Sequence, residues 1–377
     1  MPINVLAYVH LRNIYGSTGA GRVARQMIEH LAIEPDVSVN ILADREDYRK
    51  IVPKVGAPWS DFHYHFFRHD TSRQQALWLL THRPRAEAFD ASADIVYCTG
   101  ESYVPTRRAK LVVTLHDAAF FEPDAHPVKL STITQKWKWR ILYNVLSDRA
   151  DLFHTVSQFS ADRLAHFFPS LRSRLCVVPN AIPPRFFEPV SAEGESFLVF
   201  SGLKDRPFVL LPRGLNYRKN ADLVLQAWKI LQQHYPDLKL VVTSHCDPIY
   251  AEKAKSFGDS VMLTGFVSDE VLCSIYHAAQ LVWFPSRYEG FGIPVLEAMA
   301  CRTPVVASNT ASIPEVAGHA AILVSRDVVS EHVDAIRGLL EDAQLREEIR
   351  HRGTLHAQQF TWQNSAAKLK QAFLSIC

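Results

Sequence analysis

Cysteine is scarce and scattered. The 377 residues hold six, Cys98, Cys176, Cys246, Cys273, Cys301 and Cys377, with no CxxC pair and no metal-ligand spacing. That excludes a disulfide framework and a cysteine-ligated zinc module, and points to reduced thiols in a cytosolic protein. Long hydrophobic runs are missing as well. Nowhere do 18 apolar residues stand together, and the opening MPINVLAYVHLRN has no basic leader before its apolar stretch, so the chain is expected to be neither exported nor membrane-spanning. With 15 Gly and 21 Pro it is no low-complexity polymer. Charge of one sign is also lacking: 41 Lys and Arg face 39 Asp and Glu, which gives no reason to expect nucleic acid as a partner. The first 190 residues hold 23 basic and 19 acidic side chains and the remainder 18 and 20, a slight positive tilt of the first half.

What is present is an ordinary globular composition, 47% hydrophobic and 21% charged, at a length that suits two domains. Short β-branched runs alternate with helical patterns: strands at 3–9, 37–42, 94–98, 110–115, 152–156 and 174–179, with a helix over 20–33. From about residue 182 the rhythm breaks among Pro183, Pro184, Pro189 and Gly194. A second series then follows, with strands at 208–212, 238–244, 260–265, 281–285, 304–308 and 320–324 and helices over 219–234 and from 268 and 292. The expectation is α/β architecture: two doubly wound Rossmann-like domains, 1–190 and 207–358, joined by a linker at 191–206 and facing across a cleft. Ligands of such sheets bind beyond the carboxyl ends of the strands, so functional residues belong in the loops just after them.

Four such loops carry polar clusters. Gly19-Ala20-Gly21-Arg22-Val23-Ala24 fits GxGxxA, and Asp44 ends the next strand, as a dinucleotide fingerprint would have it. The first glycine should follow its strand directly, however, and residues 10–18 intervene. Small residues opening a helix still present free N–H groups to an anion, with Arg22 adjacent, so Gly19 and Gly21 are read as facing a pyrophosphate. In the second half, Pro285-Ser286-Arg287-Tyr288-Glu289-Gly290-Phe291-Gly292-Ile293-Pro294-Val295-Leu296-Glu297 runs from a strand through a two-glycine loop into a helix with Pro294 near its start. Backbone N–H groups from 290 to 293 can point at a phosphate, while Glu297 accepts from a ribose diol and Glu289 from a second sugar. The bland reading, in which Glu297 only complements a helix dipole, explains one glutamate and not the loop. Upstream, Arg213-Gly214-Leu215-Asn216-Tyr217-Arg218-Lys219-Asn220 opens another helix. Two adjacent cations oppose the dipole there, so Arg218 and Lys219 are read as stabilising charge on a leaving diphosphate. His116-Asp117 ends the strand KLVVTL and brings an imidazole to the cleft lip.

Taken together and in this order, EGFGIPVLE with its E-x7-E pair, RKN at 218–220, VPNAI at 178–182, the glycine loop and the His116 strand end resemble retaining glycosyltransferase family 4, of the two-domain GT-B fold. STGAGRVARQM, HDAAFFEPD and PRGLNYRKN look most like the bacterial mannosyltransferases that build O-antigen and related polysaccharides from GDP-mannose. UDP-sugar and GDP-rhamnose donors stay open. Family members often have Gly-Gly where this chain has Arg213-Gly214, so Arg213 either narrows the donor site or adds a phosphate contact.

The resemblance implies transfer of a hexose to a saccharide or lipid-linked saccharide. The donor diphosphate would lie on Arg218, Lys219 and the loop Gly290-Phe291-Gly292, the ribose on Glu297, and His116 and Glu289 would position sugar hydroxyls. It implies no cofactor: cations aimed at the phosphates supply the charge stabilisation, and no DxD-like loop is in evidence, which suits metal independence. Residues 359–377 would return to the first domain. A sugar-nucleotide epimerase of the same fold and a noncatalytic sugar-nucleotide-binding subunit are the competing readings. Finally, the helical segment 129–148 places Lys129, Lys136 and Arg140 on one stripe flanked by Tyr143 and Trp137, with Trp139, Leu142 and Leu146 facing the core. Such a stripe suits an anionic membrane surface, hence an expected location in the cytoplasm and on the inner face of the cell membrane. A solvated basic face is the alternative.

Overall fold

Valine, isoleucine and leucine runs can be buried on both faces only in a parallel sheet with helices on each side, and this chain builds two. The computed structural model describes residues 2–15, 19–127 and 130–377. Contacts divide the chain into one unit of Met1–Phe121, Val128–Ala181 and Thr361–Cys377, and another of Glu122–Pro127 and Ile182–Phe360.

The first unit holds strands β1 (Ile3–Tyr8), β2 (Val37–Asp44), β3 (His63–Phe67), β4 (Ile95–Cys98), β5 (Lys110–Thr114), β6 (Leu152–Thr155) and β7 (Leu175–Val177). They pair in parallel in the order β3-β2-β1-β4-β5-β6-β7. Leu6, Val96, Leu111, Val113 and Phe153 form its fully buried centre, each worth roughly 1.5–3 kcal/mol relative to exposure. The helix Gly19–Leu31 buries Val23, Met27 and Leu31 together with Ala24 and Ile28, a stripe of spacing four. A charge at Met27, which has no exposed surface, would lie unpaired and cost several kcal/mol. The last helix, Trp362–Leu374, docks in this same unit: the Ser365 hydroxyl donates to the Pro179 carbonyl at 2.7 Å, and the Lys370 ammonium lies 3.6 Å from Glu34.

The second unit holds β8 (Phe208–Leu211), β9 (Lys239–Thr243), β10 (Val261–Gly265), β11 (Leu281–Phe284), β12 (Val305–Ser308) and β13 (Ile322–Val324), all parallel in the order β10-β9-β8-β11-β12-β13. In both sheets the strand order reverses beside the first strand, between β1 and β4 and between β8 and β11. Crevices for ligands open at the carboxyl ends there.

Three details differ from the sequence expectation. The stretch 191–206 is not a free linker. Ser191 caps a helix, Ala192–Phe200, by accepting from the Gly194 amide at 3.1 Å, and a Cβ on Gly194 would overlap the Ser274 hydroxyl on the helix Asp269–Ala278. That glycine marks close helix packing, and the second unit begins already at Ile182. Strand β3, HYHFF, escaped notice because it is a half-exposed edge strand without a β-branched residue. On the helix Leu130–Arg149, Tyr143 is buried instead of flanking a basic stripe, and Trp139 stacks on Phe120 with ring centroids 5.2 Å apart. Lys136 and Arg140 are exposed; Lys129 lies outside the described residues.

Candidate active site

In the second unit, β8 ends at Leu211 and the chain turns twice through left-handed backbone, Arg213 at φ 72° and Gly214 at φ 79°. Gly214 has no alternative, since a Cβ would overlap the His245 carbonyl oxygen. At Arg213 the left-handed conformation costs about 1–2 kcal/mol. The next turn is closed by Asn216, whose side-chain oxygen accepts from the Lys219 amide at 3.0 Å and whose carbonyl accepts from Ala221 at 3.2 Å. The helix therefore opens at Ala221, after Asn220 at φ 58°, and Arg218 and Lys219 stand on the preceding turn.

From β11 the second loop comes alongside: the Arg287 amide donates to the Arg218 carbonyl at 2.8 Å, which fixes one loop to the other. The buried Ser312 hydroxyl lies 2.9 Å from the Glu289 carbonyl and 2.8 Å from that of Phe291, holding the loop's shape. Gly292 takes φ 107° as it caps the helix Ile293–Ala300, a backbone only glycine adopts without strain. Among the described residues the amides of Phe291 and Gly292 make no hydrogen bond.

Two ion pairs result, both with a buried carboxylate. The Lys219 ammonium bonds Glu289 Oε1 and lies 4.6 Å from the centre of the Phe284 ring. Burial pushes the Lys219 pKa down to about 8 against the pull of Glu289. Burial alone would raise Glu289, but Lys219 and Arg218 outweigh it and hold the carboxyl below its ordinary range. In the other pair, Arg213 Nη2 donates to Glu297 Oε1 at 3.2 Å and the Tyr276 hydroxyl donates to Oε2 at 2.8 Å. Burial and the Glu297 charge push the Tyr276 hydroxyl far up, so it stays a donor. Glu297 is 1% exposed and sits beyond the first turn of its helix, which removes the dipole explanation. Arg218 differs from its neighbours: among the described residues its guanidinium has no ion-pair or hydrogen-bond partner. The cluster thus holds three cations against two carboxylates, and the unpaired cation stands beside two free amides.

In the first unit, His116 follows β5 with its amide donating to Glu101 Oε1 at 2.9 Å. It lines a cavity of about 180 Å³ with His10, Asn13, Ala20, Thr99 and Glu101, at the carboxyl ends of β1, β4 and β5. His10 Nε2 lies 3.1 Å from the Ser102 hydroxyl, and burial lowers its pKa. Asp117 accepts from the Ala119 amide at 2.8 Å, a turn-forming bond. Gly19 opens its helix with empty space where a Cβ would be, and Gly21 is buried in the same helix. The dinucleotide reading fails on Asp44, whose carboxylate caps the helix Arg45–Val55 by accepting from Glu46 and Asp47, and on the helix Leu11–Tyr15 that separates β1 from the glycines.

Arg213, Arg218, Lys219, Glu289, Gly290, Phe291, Gly292 and Glu297 therefore gather at the switch point of the second sheet, and His116, Gly19 and Gly21 belong to the first unit. Reasoning on sequence missed Tyr276, Ser312, Asn216 and Glu101. Tyr276 reads as an ordinary core position of its helix, and the others act on backbone groups that no motif displays.

Residues 17–186 match the family model for Glycosyltransferase Family 4 and residues 198–356 that for Glycosyl transferases group 1. The chain is 30% identical over 376 residues to O-antigen chain mannosyltransferase B of Escherichia coli, covering 95% of this chain and 96% of that protein. It is 28% identical over 252 residues to the serotype-specific mannosyltransferase WbdA of the same organism, covering 61% of this chain and 29% of that one. Among solved structures, sucrose-phosphate synthase from Thermosynechococcus elongatus superposes at TM-score 0.73 and 17% identity, covering 99% and 98% of the two chains. Anabaena HepE in complex with UDP-glucose superposes at 0.73 and 18%, covering 99% and 100%. At such identities the likeness is one of fold.

Proposed function

The chain belongs to glycosyltransferase family 4 and has the GT-B fold, and from that premise we propose that it transfers mannose from GDP-mannose, with retention of configuration, to a saccharide or lipid-linked saccharide in polysaccharide synthesis. The observation that carries this reading is Arg218, a cation without a partner beside the buried Lys219–Glu289 pair and the free amides of Phe291 and Gly292. An anion with several oxygens, such as a diphosphate, satisfies all of them at once. Breaking the sugar–phosphate bond moves a negative charge onto that diphosphate, and cations already fixed in a water-poor site stabilise it without reorganising. Glu297, held in place by Arg213 and Tyr276, accepts from the ribose diol. Glu289 and His116 position sugar hydroxyls. The acceptor oxygen attacks on the face that the phosphate leaves, its proton passing to a phosphate oxygen while the new glycosidic bond forms. The mannose assignment is supported by the two mannosyltransferases named above.

Thermal shift against GDP-mannose, GDP-fucose, UDP-glucose, UDP-GlcNAc and ADP-glucose tests the donor, because a ligand of the folded state raises stability by mass action. GDP-mannose should give the largest shift and support transfer in excess EDTA. A larger shift with a UDP-sugar overturns the donor, and loss of transfer that magnesium or manganese restores overturns metal independence.

We also propose peripheral contact with an anionic membrane through the helix Leu130–Arg149. Ile133, Trp137 and Ile141, spaced by four, are 46%, 67% and 62% exposed, and the exposed Lys136, Lys138 and Arg140 stand beside them with no acidic residue before Asp148. An apolar ridge edged by cations fits the boundary of acyl chains and headgroups. No helix among the described residues is long and apolar enough to cross a membrane. Wild type should float with anionic liposomes at low salt, and a Trp137→Ser/Ile141→Ser variant should not; equal behaviour of the two rejects this helix as the contact.

A further inference from the structure

A second cavity of the first unit, about 660 Å³, opens over the carboxyl ends of β2 and β3. Its volume falls in the range of small-molecule sites, roughly 300–1,000 Å³. Phe66, Phe67 and Phe89 form its wall, Arg45 and Arg68 stand at its rim, and Gln74 lines it deeper in. Three observations mark it as more than a surface dent. Among the described residues neither Arg45 nor Arg68 has an ion-pair or hydrogen-bond partner, although Arg45 lies 5.0 Å from the centre of the Phe66 ring. No carboxylate lines the cavity. Gln74 is 1% exposed, yet among the described residues its side-chain nitrogen has no acceptor, and a buried donor left unsatisfied is costly.

The chemistry missing here is an anion for two guanidinium forks and a neutral oxygen for a buried amide, next to an aromatic face. A sugar bearing a phosphate supplies all three: phosphate oxygens match arginine geometry, hydroxyl or ring oxygens accept from an amide, and the C–H face of a hexose packs on a phenyl ring. The location fits as well. In the order β3-β2-β1-β4-β5 this cavity is next along the sheet to the one lined by His10 and His116, so an acceptor longer than one sugar can span both.

We propose that this pocket is a second saccharide subsite, holding a phosphate-bearing sugar of the acceptor on Arg45, Arg68 and Gln74. It rests on the glycosyltransferase reading only in calling the ligand an acceptor. Calorimetric titration of the full chain tests the pocket without any transfer, with mannose 6-phosphate, methyl mannoside and inorganic phosphate as probes. Mannose 6-phosphate should bind saturably and more tightly than either of the others. Arg45→Gln/Arg68→Gln, two exposed positions whose loss does not threaten the fold, should weaken it by about tenfold or more, the scale of lost charge-assisted bonds, with GDP-mannose binding unchanged. A dissociation constant equal in variant and wild type, or no saturable binding by wild type, overturns the site. Inorganic phosphate binding as tightly as the sugar phosphate overturns its saccharide character. Failure of the glycosyltransferase reading appears differently, as sugar-phosphate binding that survives in a chain that transfers nothing.

Discussion

At the point where its strand order reverses, the first sheet carries imidazoles, hydroxyls and a single glutamate around a small cavity, whereas the second carries three cations and two carboxylates, the acids and Lys219 almost wholly out of solvent. The topology is the same, so the strand order cannot be the source of the difference. It comes from the loops: left-handed turns at Arg213, Gly214 and Asn220 and the Ser312 clamp fold charged side chains inward in the second unit, while the loops after β4 and β5 present Thr99, Ser102, His116 and one carboxylate, Glu101, and no lysine or arginine, to their cavity. A sheet supplies the place and the loops supply the chemistry. A phosphate leaving group needs fixed positive charge. A sugar needs neutral donors and acceptors.

The sharpest way to break this contrast is to empty the buried pair. Lys219→Ala and Glu289→Ala should each lower turnover by about 100-fold or more, the scale of a lost transition-state contact. Each should also destabilise the fold by about 3–5 kcal/mol, because the surviving charge stays buried without the partner that it contacts. Lys219→Met/Glu289→Gln should recover most of that stability in a thermal melt and none of the turnover. Near-wild-type transfer by either single variant would remove the pair from the mechanism.

A smaller effect is expected in the first unit. His116→Ala should reduce turnover by roughly tenfold to 100-fold, through sugar positioning, and leave the GDP dissociation constant unchanged. A weakened GDP constant would erase the division of labour between the two switch points.

The smallest effect is in the pH profile. Lys219 titrates near 8, below its ordinary 10.5, so its proton leaves as pH rises through 8 and kcat/KM should fall above that pH. Between 8 and 10.5 the unfolded chain holds more protons on this group than the folded one, so its contribution to stability rises with pH across that window. Lys219→Arg, charged throughout, should lose the alkaline limb at whatever rate it retains. A limb that persists in the variant belongs to another group.

The second unit was the more legible of the two in sequence. Its strands are short, continuous β-branched and leucine-rich runs bounded by glycine and proline, and its catalytic candidates sit in loops directly after them. Where reading failed, the signal was tertiary. Gly194 looked like linker flexibility but serves helix packing against Ser274, and Tyr143 looked like a surface aromatic but fills the core. On the helix Leu130–Arg149 the face of Trp139, Leu142 and Leu146 packs on the core and Lys136 and Arg140 are exposed, as the helical projection had them, but the exposed ridge Ile133, Trp137 and Ile141 beside them was not drawn.

The sequence by itself determined the two doubly wound sheets, the loops that bear function and the residue types at them, since these follow from periodicity and from glycine and proline placement, all local in the chain. Only the tertiary structure decided which charges pair. Glu289 meets Lys219 across 70 residues and Glu297 meets Arg213 across 84, separations at which no local pattern survives. Which cation was left without a partner was decided there too, because pairing depends on distance and burial in three dimensions, and that remainder is what a ligand can use.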